Sequence, residues 1–340
     1  MSSFLPTPPA EGSTPANLST VYLPSPFHPK AETYAETRFA RVLRPGQDGL
    51  TADDCLAQAD GILLRIANMG KTELDKATKC RIICRNGTGT DMIDLAVCKE
   101  RGIAVTNRPG GNAKAVAELT LTLTLSVLRR VKELDYRICS GEIVPSIRAL
   151  APGLHGKTVG LIGMGDIAYE FALLLQPFGI RLLVFSPSSP ESRWRIQDNR
   201  YPVTVQHERV STLEEFLRQS DVVSIHCPLT PGTRGLLGDK EMGWMKEDAV
   251  VINTARGGII DEEALARALK EGKLGGAGLD VFEIEPAHAG TLGELGKMPN
   301  VICLPHLGGS TDSVTLDGCV DAVNWLADYL DGKSVPHRVV

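Results

Sequence analysis

Short apolar runs alternate with amphipathic stretches along the first third of the chain. The runs predict strands at residues 20–23, 40–43, 61–64, 81–84 and 103–106. Stretches of helix-forming residues separate them, for example residues 91–100, which Arg101 and Gly102 close. This alternation is typical of a parallel sheet covered by helices.

A second series of apolar runs follows after residue 158. It predicts strands at residues 159–162, 181–185, 222–226, 249–253, 276–281 and 301–304. The pattern therefore predicts an α/β protein with two doubly wound parallel-sheet domains.

One segment supports two interpretations. Leucine and threonine alternate over residues 119–125, and this period of two favours a strand. The flanking residues 113–118 and 126–134 are strong helix formers, so residues 113–137 could also form one long helix. The local pattern leaves both open.

A glycine turn joins the first strand of the second series to a helix over residues 169–175. Gly163, Gly165 and Ala168 have the G-x-G-x-x-A spacing of a dinucleotide site. Gly163 allows the tight turn, Gly165 lets a pyrophosphate approach the backbone, and Ala168 lets the helix pack closely. The free N–H groups of the helix would bind the phosphates.

The position that reads the ribose departs from the NAD pattern. A carboxylate is expected about 20 residues past the turn, where it repels a 2′-phosphate, but Ser186 stands there. Arg193 and Arg195 follow and could bind a phosphate. In the alternative interpretation, the arginines are only solvated and the serines only form a turn. The sequence therefore favours NADP slightly and leaves NAD open.

Composition narrows the class of protein. The chain has 340 residues, 43% hydrophobic and 23% charged, with a net charge of −5. The length predicts two domains, and the charge disfavours a nucleic-acid or anionic membrane partner. No apolar run reaches the roughly 18 residues of a membrane span. Residues 1–19 lack signal-peptide features, so we expect a flexible tail and a cytoplasmic protein.

The eight cysteines form no C-x-x-C pair, and no His/Cys cluster has the spacing of metal ligands. Several lie in apolar runs, such as Cys80 and Cys84. We therefore expect buried reduced thiols and no metal site.

Three polar residues follow predicted strands of the second series: Arg256, Glu285 and His306. Ligands of open α/β sheets bind at the carboxyl ends of strands, so all three could face one cleft. Taken singly, each could equally be a turn residue or a surface ion-pair partner.

Together with their neighbours, these residues resemble the D-2-hydroxyacid dehydrogenases, the family that includes glyoxylate/hydroxypyruvate reductases and phosphoglycerate dehydrogenases. The resemblance extends over about residues 21–331. It is carried by the blocks NGTGTD (86–91), NRPG (107–110), AVAE (115–118), HCPLT (226–230), ARGG (255–258), DVFEIEP (280–286) and PHLGGST (305–311).

The resemblance implies roles for the three polar residues. His306 would be the acid/base that protonates the carbonyl oxygen while a nicotinamide delivers hydride to the carbon. Glu285 would pair with the imidazole, and a neighbouring carboxylate favours the imidazolium. Arg256 would bind the substrate carboxylate with its guanidinium fork and polarise the carbonyl.

The resemblance also implies the binding residues. Asp280 would orient the nicotinamide carboxamide, and Cys227 and Pro228 would line one face of that ring. The substrate carboxylate would also contact the loop of Asn86, Gly87, Thr88 and Gly89. The full cofactor set is Gly163, Gly165, Asp166, Ile167, Ser186, Cys227, Pro228, Thr233, Thr254, Ala255, Asp280, His306 and Gly308.

The implied architecture is a Rossmann cofactor domain, residues 110–308, inserted into a flavodoxin-like substrate domain, residues 20–109 and 309–340. The ambiguous segment would be a helix at the interface of a homodimer, and closure of the cleft would exclude water.

The implied function is reduction of a small 2-oxo acid such as glyoxylate or hydroxypyruvate. Phosphoglycerate-type relatives carry extra basic residues after the third strand, where this chain has only Arg65, so a phosphorylated substrate is less favoured. A non-enzymatic NAD(H)-sensing protein of the corepressor type is the alternative.

Overall fold

A computed structural model describes residues 17–340. They form two compact units: the described residues up to Asn112 together with Ser310–Val340, and Ala113–Gly309. The tail predicted for residues 1–19 lies outside the described residues as far as residue 16. Its last three residues belong to a strand, because strand β1 begins at Asn17.

The first unit is a five-stranded parallel sheet with helices on its faces. Its strands are β1 (Asn17–Tyr22), β2 (Phe39–Leu43), β3 (Gly61–Leu64), β4 (Ile82–Arg85) and β5 (Ala104–Thr106), in the order β2-β1-β3-β4-β5. Its helices are α1 (Pro29–Arg38), α2 (Ala52–Gln58), α3 (Lys71–Lys76), α4 (Leu95–Arg101) and α11 (Asp312–Leu330). This strand order is that of flavodoxin-like folds.

The central strands β3 and β4 are buried on both faces of the sheet, so each is a nearly continuous apolar run. Leu63 and Ile82 face α11, where they pack with Val323 and Leu326. A Cβ atom on Gly61 would lie 3.1 Å from the Leu326 side chain, so glycine lets α11 approach the sheet closely.

Helix α4 is shorter than the predicted 91–100. The Asp94 carboxylate accepts the N–H of Val97 at 3.0 Å and caps the helix, which therefore begins at Leu95. Gly102 ends it in the left-handed conformation, with φ of 70°.

The second unit is a seven-stranded parallel sheet in the order β12-β11-β10-β9-β6-β7-β8. Its strands are β6 (Thr158–Ile162), β7 (Arg181–Phe185), β8 (Glu208–Arg209), β9 (Val222–Ile225), β10 (Val250–Asn253), β11 (Gly276–Leu279) and β12 (Val301–Cys303). Its helices are α5 (Ala113–Leu128), α6 (Val131–Cys139), α7 (Asp166–Leu175), α8 (Leu213–Gln219), α9 (Asp239–Met242) and α10 (Glu262–Lys270). The predicted class, α/β with two parallel sheets, is confirmed.

The ambiguous segment is helical. The hydroxyls of Thr120 and Thr124 donate to the carbonyl oxygens four residues earlier, at 2.7 Å each, so α5 accommodates its threonines. The segment is not one long helix, because Arg130 adopts a left-handed φ of 53° and separates α5 from α6.

The cysteines are reduced throughout the described residues. Five are buried, Cys227 and Cys303 are partly buried, and Cys139 is exposed, which differs from the expectation of buried thiols. Burial raises the pKa of Cys84 to about 12. Residues 17–340 contain no helix long and apolar enough to cross a membrane, and no His/Cys/Asp/Glu cluster that could hold a metal ion.

Candidate active site

The glycine turn between β6 and α7 has the geometry that a dinucleotide requires. Gly163 has a φ of 106°, and a Cβ atom there would lie 2.7 Å from the carbonyl oxygen of His226. Gly165 is the N-cap of α7 without a side-chain cap, and a Cβ atom on it would meet nothing within 4 Å. The space in front of the free helix N–H groups is therefore open, as pyrophosphate binding needs. Asp166 and Ile167 form the first turn of α7.

Ser186 directly follows β7, and its hydroxyl is one of a pair. It is only 7% exposed, and its Oγ lies 2.8 Å from the Oγ of Ser189. The guanidinium of Arg209 donates to the carbonyl oxygens of Ser186 and Ser189, at 2.6 and 3.0 Å, and so fixes this turn. Sequence reasoning missed Arg209, because it lies 23 residues further along, on the edge strand β8.

The two arginines predicted to follow Ser186 behave differently. Arg193 donates to the carbonyl oxygen of Met164 at 3.3 Å, which brings its charge to the glycine turn. Arg195 instead forms an exposed ion pair with Glu191 at 3.5 Å. Only Arg193 is therefore placed beside the predicted cofactor site.

The structure brings the three predicted catalytic side chains together in the second unit. Nδ1 of His306 lies 2.8 Å from Oε2 of Glu285, whose Oε1 accepts the N–H of Phe282 at 3.1 Å. Burial would raise the pKa of Glu285, but the hydrogen bond from His306, the positive charge of that ring, the Phe282 N–H and the charge of Arg256 together lower it. Glu285 is therefore a carboxylate in hydrogen-bond contact with Nδ1 of the imidazole.

Arg256 follows β10 and is held by its own backbone. The carbonyl oxygen of Arg256 accepts from Asn253 Nδ2 at 2.9 Å, and Nη1 of its guanidinium donates to the Ala255 carbonyl at 2.7 Å. A Cβ atom on Gly257 would lie 1.9 Å from the Phe282 carbonyl oxygen, so glycine is required for the Arg256 loop to approach the Glu285 loop.

Asp280 is bound to the loop that carries the histidine. It is 1% exposed, and its two carboxylate oxygens accept the N–H groups of Leu307 and Gly308 at 2.7 Å each. Its carbonyl oxygen accepts the N–H of His306, which has a left-handed φ of 57°. Asp280 thus holds His306 in an unusual conformation, which sequence reasoning did not foresee. The contact between Asp280 and the nicotinamide carboxamide stays a prediction.

The remaining predicted cofactor residues lie in the loops after β9 and β10. Burial raises the pKa of Cys227 to about 11, so its thiol is neutral beside Pro228. The Thr233 hydroxyl donates to the Pro228 carbonyl at 2.6 Å. The hydroxyl of Thr254 lies 2.9 Å from that of Thr120, a partner on α5 that the sequence pattern did not indicate.

In the first unit, the loop from Asn86 to Gly89 follows β4. The Thr88 hydroxyl donates to the carbonyl oxygen of Arg108 at 2.9 Å, and the Arg108 N–H donates to the carbonyl of Gly87 at 3.0 Å. Within the described part of the chain, the N–H groups of Gly87, Thr88 and Gly89 donate no hydrogen bond. Successive free N–H groups can bind an anion.

Comparison with known proteins identifies relatives of this chain. A family model described as "D-isomer specific 2-hydroxyacid dehydrogenase, NAD binding domain" matches residues 121–308. A glyoxylate reductase of Thermococcus litoralis is 39% identical over 247 residues, which are 71% of this chain and 71% of that protein. A D-3-phosphoglycerate dehydrogenase of Methanocaldococcus jannaschii is 36% identical over 268 residues, 78% of this chain but 49% of that protein.

A solved structure shows the same fold. It is an NADPH-dependent glyoxylate/hydroxypyruvate reductase from Sinorhizobium meliloti in complex with NADP and malonate, with a TM-score of 0.80 and 25% identity. The similarity covers 95% of this chain and 97% of that one. The chain is therefore an NAD(P)-dependent oxidoreductase that belongs to the D-isomer specific 2-hydroxyacid dehydrogenase family.

Proposed function

We propose that this enzyme reduces small 2-oxo acids, such as glyoxylate and hydroxypyruvate, to D-2-hydroxy acids. The observation that carries the proposal is the hydrogen bond between Glu285 and His306, with the charge of Arg256 acting on the same carboxylate. An acid, its orienting carboxylate and a guanidinium are the groups that reduction of a carbonyl next to a carboxylate requires.

His306 supplies the proton. A bound nicotinamide cofactor would supply hydride, whose electron pair would form the new C–H bond at the carbonyl carbon. The carbonyl π electrons move to oxygen, which takes the proton from Nε2 of His306. The imidazole keeps its Nδ1 proton in the bond to Glu285 and is neutral after the step. Oxidation of the hydroxy acid reverses these movements, with His306 as the base.

Arg256 binds the substrate carboxylate and polarises the carbonyl. A guanidinium can donate two parallel hydrogen bonds to a carboxylate, which fixes the orientation of the carbonyl toward the acid. For the first unit, we propose that the free N–H groups of Gly87, Thr88 and Gly89 bind a substrate carboxylate. That assignment rests on the family resemblance and on their lack of partners among the described residues.

We propose NADPH as the preferred cofactor. The buried Ser186, its hydroxyl neighbour Ser189 and the guanidinium of Arg193 at the turn support this preference. Replacing Ser186 with aspartate places a carboxylate where a 2′-phosphate would bind, and like charges repel. We expect the ratio of kcat/KM for NADPH to that for NADH to fall at least about tenfold.

The control for this prediction is the Ser186→Asn variant, because an asparagine side chain has nearly the size of aspartate without its charge. It should change the cofactor ratio much less. A wild-type enzyme that already strongly prefers NADH would contradict the proposed preference, whatever the variants do.

We also propose that the protein is a homodimer through its cofactor domain. Helix α6 has no buried residue. Six large apolar residues of α6 and the segment after it are exposed: Val131, Tyr136, Ile138, Ile143, Ile147 and Leu150. Exposed apolar side chains grouped in one segment are typical of a protein–protein interface, and a second copy of the chain, as the family implies, would cover them.

Light scattering on a size-exclusion column tests the dimer. The measured mass of the wild-type protein should be twice that of one chain. The double variant with Ile143→Lys and Ile147→Lys should have the mass of one chain, because burying unpaired charges in the dimer interface is costly. Ile66→Lys changes an equally apolar, exposed residue of the other unit and should leave the dimer intact. A monomeric wild type would refute the proposal.

The substrate class is tested with a panel of carbonyl compounds and reduced dinucleotide. Glyoxylate and hydroxypyruvate should be turned over fastest. A phosphorylated 2-oxo acid should be slower, and an aldehyde without a carboxylate slowest, because Arg256 has nothing to bind. Faster reduction of the aldehyde than of glyoxylate would contradict the role of Arg256.

A further inference from the structure

An aromatic cluster holds the chain between β7 and β8 against the cofactor-binding helix. Trp194 and Tyr201 are buried, and their rings lie 5.9 and 4.9 Å from that of Tyr169 on α7. The Tyr169 hydroxyl donates to the carbonyl of Val203 and accepts its N–H, both at 2.8 Å. The segment is therefore fixed on α7 rather than free in solution.

This segment brings a second charged group to the glycine turn. Nε and Nη2 of Arg200 donate to the two carboxylate oxygens of Asp166 at 2.7 and 2.8 Å. The guanidinium also lies over the Tyr201 ring, 5.6 Å from its centre. A bidentate ion pair whose guanidinium also packs on a buried aromatic ring has a defined geometry, unlike most exposed ion pairs.

Asp166 is the first residue of α7, directly after Gly165. The hydrogen bond from Arg200 is the main cause that lowers the pKa of Asp166, against the effect of burial, so the side chain is a carboxylate. The positive end of the helix dipole stabilises a carboxylate at the helix N-terminus when no other anion binds there. A dinucleotide, however, brings two negative phosphates to the same N–H groups, and an uncompensated Asp166 would repel them.

We propose that Arg200 is a positioning residue for the cofactor: it holds and neutralises the Asp166 carboxylate, so that the first turn of α7 can accept a pyrophosphate. Arg200 acts through Asp166 and does not itself bind the dinucleotide. The proposal rests on the dinucleotide binding of the family and on none of the substrate assignments, so it can fail while the proposed reaction stands.

A double-mutant cycle on dinucleotide binding tests this role. Arg200→Gln should raise the Kd of NADPH, measured by fluorescence titration, about five- to tenfold at low salt. The increase should shrink at high salt, because ions screen the repulsion. Asp166→Asn combined with Arg200→Gln removes both charges and should restore the Kd to within about twofold of wild type.

A matched control separates this pair from a general loss of positive charge. Arg218→Gln removes an arginine of similar exposure that pairs with Glu214 on α8, and it should leave the Kd unchanged. The rescue also separates charge compensation from misfolding, because an unfolded single variant would not regain binding when a second partner is removed.

Three results would overturn the proposal. A double variant as weak as Arg200→Gln alone would mean that Arg200 binds the dinucleotide directly or that the segment needs it for folding. An unchanged Kd for Arg200→Gln would mean that the pair does not affect binding. An equal increase in the Kd of NADPH for Arg218→Gln would mean that the effect comes from the net charge of the protein.

Discussion

Replacing His306 with alanine is expected to lower kcat for 2-oxo acid reduction about 10³-fold, because the side chain proposed to give a proton to the carbonyl oxygen is lost. The dinucleotide should still bind, since the glycine turn lies at a different strand end. Steady-state oxidation of NADPH measures the first effect, and fluorescence titration measures the second.

Glu285→Gln is the informative companion to this variant. Glutamine can still accept a hydrogen bond from Nδ1 of His306 but lacks the negative charge of the carboxylate. We expect a smaller loss of kcat, about 10²-fold. Retention of substantial turnover by His306→Ala would refute the assigned acid/base.

Arg256→Gln should lower kcat/KM for glyoxylate by about 10²- to 10³-fold, because two charge-assisted hydrogen bonds to the substrate are lost. Arg256→Lys keeps the charge but loses the planar fork, so it should recover only part of this loss. Both values come from initial rates over a range of glyoxylate concentrations.

Arg234→Gln is the control for Arg256. Arg234 is an exposed arginine that pairs with Glu283 at 3.0 Å in the same unit. Its replacement should change kcat/KM little. If Arg256→Gln were no worse than Arg234→Gln, the substrate carboxylate would have to bind elsewhere.

The sequence predicted the parallel strands closely where burial on both faces makes a strand one apolar run. Residues 61–64 and 181–185 match β3 and β7 at both ends. Strand β8 was missed, because its two residues, Glu208 and Arg209, are polar edge residues. The alternation of leucine and threonine in α5 is compatible with a strand and with a helix, because threonine hydroxyls can bond within a helix.

The candidate site was predictable where a local motif carries the chemistry. Glu285 and His306 were named from their blocks, and the structure places them in hydrogen-bond contact. The hydrogen-bond partners of two site residues were not predictable. Arg209 donates to the carbonyl oxygen of Ser186, and Arg200 donates to the carboxylate of Asp166. These contacts join residues 23 and 34 positions apart, and no local pattern marks them.

The most direct test is the reduction of hydroxypyruvate by the wild-type protein, with the chirality of the product determined. Loss of reduced dinucleotide should accompany formation of D-glycerate, since Arg256 and His306 would fix which face of the carbonyl receives the hydride. Formation of L-glycerate would contradict the proposed geometry. Tight dinucleotide binding without turnover of hydroxypyruvate or any other 2-oxo acid would contradict the proposed reaction itself.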